Sequence, residues 1–135
     1  MNKETTINIL GREVRMLYCL AAETGYEQLS GKSSAVFVPQ MEKDDKDNII
    51  SIHQQATIDD YVKLAIGCII AAYTSKGEEV PITAEEIMYE CSPAEAKLLI
   101  TTVNELRAAW YFVPEVAKSN EQPTDEKPDA EPKNA

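Results

Sequence analysis

The chain has 135 residues, 44% of them apolar, and sets 23 acidic side chains against 13 basic ones for a formal net charge of −10. That length holds one domain and at most a tail, and the apolar share is enough to build a core. Nucleic acids and anionic membrane surfaces are gripped by clustered Lys and Arg, and with no such cluster in the sequence neither partner is expected.

Alternation opens the chain. Thr5, Ile7 and Ile9 alternate with Thr6 and Asn8, Leu10-Gly11 follows, and Val14 and Met16 alternate with Glu13 and Arg15. This predicts a β-hairpin over 5–16. An isolated hairpin is marginal in water, so its apolar face is expected to pack on helices downstream. Leu17 to Thr24 predicts a helix, with Gly25 as its C-terminal stop, and Tyr26 to Leu29 can add a turn before the polar loop from Ser30 to Ser34. The stretch 32–56 is ambiguous. Ala35-Val36-Phe37-Val38 is strand-like and Pro39 ends or edges it; Glu42 to Asn48 is a charged connector; Ile49 to His53 is strand-like again. A second hairpin with a long loop and a mobile lobe both fit.

From Thr57 the signals sharpen. Thr57 is an N-cap, and Asp59 and Asp60 fall in a first turn, where the helix dipole favours acids. The helix predicted over 58–75 is apolar nearly all round and therefore buried on several sides. Thr83 and Glu86 spell a capping box for a helix over 84–90. Ser92-Pro93-Ala94-Glu95 spells a second start, for a helix over 93–112 that presents Leu99, Val103, Leu106 and Trp110 on one stripe and is bounded by Pro114. Residues 117–135 hold three prolines, many charges and no large apolar side chain, and are expected to be disordered. The fold class expected is α+β: an N-terminal hairpin on a bundle of three to four helices, in one domain over 1–116.

Little in the chain is equipped for chemistry. His53 is the only histidine, and no neighbour in sequence completes a nucleophilic site around it. Cys19, Cys68 and Cys91 are odd in number, far apart and set in apolar surroundings, which reads as reduced core thiols rather than a disulfide framework or zinc ligands. Asp44, Asp45 and Asp47 lack the glycine and glutamate of a calcium loop, and Gly31-Lys32-Ser33 lacks the first glycine of a phosphate loop. No catalytic residue, cofactor or metal is expected. The start of the chain shows no signal-peptide stretch, and the longest apolar run, Leu64 to Tyr73, is about half a membrane span. A cytoplasmic protein is expected.

The aromatic side chains point to binding. Tyr73 and Trp110 are assigned to the core. Trp110, Tyr111 and Phe112 point in successive directions round a helix, so at least one reaches the surface as an anchor for a protein. The candidate protein-binding side chains are Tyr61, Leu64 and Cys68 on the 58–75 helix and Tyr111 and Phe112 at the end of the last helix.

The layout resembles that of the tail assembly chaperones of long-tailed bacteriophages and prophages. The resemblance rests on a short hairpin around Gly11-Arg12 and a Leu/Ala-rich helix running into Glu23-Thr24-Gly25. An apolar helix, Pro81-Ile82-Thr83-Ala84-Glu85-Glu86-Ile87 and a closing helix complete it. It covers roughly residues 5–114, and the 32–56 insert departs from it. It implies a non-enzymatic protein of the bacterial host cytoplasm. Such a protein binds the long apolar helices of the tape-measure protein before the tail tube polymerises, and can form a homo-oligomer. Two other classes stay open: a structural virion subunit such as a head–tail connector or tail completion protein, and an acidic regulatory module that binds another protein.

Overall fold

Strands β1 (Glu4–Ile9) and β2 (Arg12–Leu17) pair antiparallel, with Ile7 opposite Val14 and Ile9 opposite Arg12, in a computed structural model that describes residues 4–112. The two-residue loop has Leu10 and Gly11 both at positive φ, as a tight primed turn demands. Ile7, Ile9, Val14 and Met16 are buried on one face, and that face packs on a helix further along the chain, as expected.

Helix α1 (Leu20–Ser30) starts later and runs further than the 17–24 helix expected from sequence. Gly25 does not stop it. Gly25 lies inside the helix, where α1 crosses the next helix so closely that a Cβ on Gly25 would sit 3.5 Å from the Cα of Gly67. The stop is Gly31, at φ 73, whose N–H donates to the Glu27 carbonyl.

The run Ser34–Phe37 is a short 3-10 helix, not a strand; the Ser33 hydroxyl accepts from the Ala35 N–H and winds the segment. That turn buries Phe37 against the rings of Tyr26 and Tyr61, at centroid distances of 4.8 and 5.2 Å. A second antiparallel hairpin follows Pro39, formed by β3 (Gln40–Lys43) and β4 (Ile49–His53) with a register shift at Glu42/Lys43. Its turn is tied by Asp44, whose Oδ1 accepts from the N–H groups of Lys46 and Asn48.

Helix α2 (Ile58–Thr74) is the axis of the domain, with α1, β2 and α4 packed around it and eleven of its residues buried. Thr57 and Asp60 form a full capping box at its start. α3 (Ala84–Glu90) and α4 (Pro93–Tyr111) each begin with the capping box read from the sequence. Leu99, Val103 and Leu106 of α4 are buried; Trp110 is only half-buried, leaning on Tyr18 with ring centroids 6.0 Å apart, because the last turn of α4 overhangs the core. The fold is α+β, with two separate two-stranded sheets. Among the described residues no helix is long and apolar enough to cross a membrane. The segment 117–135, expected to be disordered, lies outside the described residues.

Candidate protein-docking surface

All three capping-box acids also reach across the fold. The Asp60 carboxylate accepts from the Thr57 N–H at 2.9 Å, from the Tyr26 hydroxyl at 3.0 Å and from Lys32 Nζ at 3.1 Å. Its residue surface is wholly buried. Burial alone would raise its pKa, but the hydrogen bonds from Thr57, Lys32 and Tyr26 prevail and lower it to about 2. Glu86 caps Thr83 and receives both terminal nitrogens of Arg12, at 3.0 and 2.8 Å. The hydrogen bond from Arg12, then that from the Thr83 backbone, holds this carboxyl down at about 2. Glu95 caps Ser92 with one oxygen and accepts the Leu10 N–H with the other, at 2.6 Å. The helix starts are thereby fixed to α1, β2 and the first hairpin turn.

What these clamps leave open is an apolar groove of about 230 Å³ between the starts of α2 and α4 and one side of α3. Ile58 and Val62 come from α2, Ile87 and Met88 from α3, Cys91 from the link to α4, and Leu99 forms the floor. Asp59 is the one charged residue in the lining, and it pairs with Lys63 at 3.0 Å. The rim is exposed: Ile58 shows 71% of its surface and Met88 42%. α3 is too short to bury its own apolar stripe, so the groove stays lined and uncovered. Burial, and after it the carboxylates of Glu95 and Glu90, raises the pKa of the Cys91 thiol, which keeps it in the neutral form.

The five residues expected to bind a protein do not share one surface. Leu64 and Cys68 are fully buried rather than turned to solvent, because α2 has α1, β2 and α4 packed around it. Burial also pushes the Cys68 thiol up. Tyr61 is half-buried against Phe37, and its hydroxyl takes a hydrogen bond from Gln54. Tyr111 and Phe112 are exposed, at the far end of α4 from the groove. Tyr111 is tethered there, donating to Glu23 Oε2 at 2.6 Å beside Tyr18, which donates to the same oxygen at 2.7 Å. The groove residues Met88 and Cys91 were not among the candidates. Their signal is the spacing Ala84, Ile87, Met88, Cys91 on a helix of two turns, which the capping box overshadows.

The second hairpin brings Ser51 and Glu42 beside His53, which the sequence does not suggest. Ser51 Oγ donates to Glu42 Oε1 at 2.7 Å and lies 3.0 Å from His53 Nε2; Glu42 Oε1 is 3.5 Å from the same nitrogen. A nucleophilic relay places hydroxyl and carboxylate on opposite ring nitrogens, with the hydroxyl proton given to the imidazole. Here both meet Nε2, and the hydroxyl proton goes to the carboxylate. The arrangement ties two strands together. Compared with models of known protein families, with curated proteins and with solved structures, the chain finds no match.

Proposed function

We propose that this chain is a non-enzymatic protein-binding module that holds an apolar helix of its partner in the groove between α2, α3 and α4. In the setting the sequence resemblance implies, it is a tail assembly chaperone and the helix belongs to a tape-measure protein. The observation that carries the reading is the uncovered groove itself, rimmed by Ile58 and Met88 and walled by a short, triply anchored helical corner. Helix-in-groove recognition needs such a slot, pre-formed, with pockets for side chains three and four residues apart. The net charge of −10 favours a helix with basic flanks. The use of Asp60, Glu86 and Glu95 at helix starts, rather than on one open face, weighs against an acidic mimic of nucleic acid.

The test is co-expression with the tape-measure protein of the same genome. The two should co-elute in solution, and Met88→Glu, on the exposed rim, should abolish co-elution while the melting temperature stays put. An insoluble tape-measure protein beside free, folded chain refutes the chaperone role. Detection of the chain in purified virions moves the assignment to a structural subunit.

A further inference from the structure

The groove between α2, α3 and α4 has one charged residue in its lining, and that residue is lightly held. Asp59 follows Ile58 in the first turn of α2 and keeps half of its side-chain surface open. Its Oδ2 lies 3.0 Å from Lys63 Nζ, one turn along the same helix, and Lys63 is its one ion-pair partner among the described residues. An exposed pair four residues apart contributes little, so it is exchanged at small cost. The capping acids differ: Asp60, Glu86 and Glu95 are each committed to a cap and to a partner elsewhere in the fold.

Apart from Lys63, the charge bordering the groove is negative. Glu95 and Glu90 stand close enough to Cys91, at the link from α3 to α4, to add to the effect of burial in raising its thiol pKa. The lining holds no Lys or Arg. Lys97 follows Ala96 of the lining and is turned about 100° from it round α4. Residues 117–135 bring no large apolar side chain to fill the slot, and a second copy brings the same net charge of −10 to it. A foreign helix has neither handicap. When it covers the groove it strips water from Asp59. A carboxylate desolvated among apolar side chains opposes binding unless a further cation meets it, and that cation then favours binding.

We propose that Asp59 sets which helix the groove accepts: on docking, its carboxylate exchanges Lys63 for a Lys or Arg that flanks the apolar stripe of the bound helix. This rests on the groove reading and narrows it, since net charge would draw any basic chain, whereas Asp59 requires the cation at one end of the stripe. Fluorescence anisotropy of the full chain tests it with two synthetic amphipathic helical peptides that share a leucine stripe and differ only in Lys or Gln at its flank. The lysine peptide should bind about fivefold more tightly at low salt. The difference should shrink as salt rises. Asp59→Asn should bring the lysine peptide down to the glutamine peptide, and Lys63→Gln, by freeing the carboxylate, should widen the difference. Asp45→Asn removes the same charge from the turn of the second hairpin and should leave the preference as it is. All three variants should fold like the parent, because the Thr57–Asp60 capping box is untouched. Equal affinities that Met88→Glu abolishes overturn the inference and keep the groove, as does a preference that survives Asp59→Asn. Binding of neither peptide, or binding that Met88→Glu leaves intact, refutes the groove and the inference with it.

Discussion

Replacing Gly67 by alanine tests how closely α1 and α2 are packed. A Cβ at Gly67 would lie far inside contact distance of the Ala22 carbonyl oxygen and 3.3 Å from both the Ala22 carbonyl carbon and the Tyr26 nitrogen. Those are backbone atoms of α1, which cannot rotate aside, so the helices must move apart along the most extensive interface of the domain. Overpacking of this kind costs up to about 3 kcal/mol. Against it stands the gain of about 1 kcal/mol for alanine over glycine in a helix interior. The net loss is about 2 kcal/mol, which in a domain of this size lowers the melting temperature by roughly 7–10 °C. Gly25→Ala is the matched control. Its Cβ would meet only the Gly67 Cα, at an ordinary 3.5 Å, so the propensity gain prevails and the variant should melt a few degrees higher. Thermal melts by circular dichroism compare the three proteins. A Gly67→Ala variant that melts at or above the parent refutes the close crossing.

Asp60 makes stability depend on acid. Its carboxyl is lowered to about 2 in the fold from an ordinary value of 3.8, so its contribution is complete above about pH 4 and is lost as pH falls towards 2. Denaturant titrations across that window should show the parent weakening more steeply than Asp60→Asn; equal slopes contradict the hydrogen-bonded carboxylate. Phe37→Ala removes a buried ring wedged between Tyr26 and Tyr61 and should cost about 3–5 kcal/mol in chemical denaturation. A cost under about 1 kcal/mol would mean the 3-10 segment is not part of the core. Thr83→Ala deletes the cap of α3 and should cost about 1 kcal/mol of stability, with a weakened hold on any helix bound in the groove, measured by calorimetry against that helix as a peptide.

The elements with chemical start signals were legible: Thr57, Thr83-Glu86 and Ser92-Pro93-Glu95 placed three helix starts, because a cap is a local hydrogen bond between residues three apart. The first hairpin was legible because one face is buried and alternation records it. Gly25 misled because glycine serves two ends. It stops a helix where the backbone turns left-handed, and it thins a helix where another must pass, and only the three-dimensional crossing with Gly67 tells which. Ala35 to Val38 misled because a four-residue apolar run has no period to read, and the Ser33 cap decided its shape. Leu64 and Cys68 were placed on a binding face because a helix apolar all round does not say which neighbours cover it. Met88 was passed over for a related reason: a two-turn helix shows one repeat of its stripe, too few to mark an open groove.

The same carboxylates that make the helix starts readable also explain why apolar surface remains uncovered. Asp60, Glu86 and Glu95 each bond a cap in sequence and a partner 28 to 85 residues away, so the acids of the folded core are consumed inwardly at three corners. They fix α1, β2 and the first turn to α2, α3 and α4, and they hold α3 at its base while leaving its outer stripe bare. The β3–β4 hairpin has no counterpart to these clamps. Among the described residues the side-chain hydrogen bonds at its base are the Gln55 amide on the Val38 carbonyl, which closes it, and the Gln54 amide on the Tyr61 hydroxyl of α2, both exposed. A hairpin so lightly held, with its apolar face outward, is not explained by the stability of one chain. The domain therefore carries two uncovered apolar surfaces, the groove walled by the clamped helix starts and the outer side of the lightly tied hairpin.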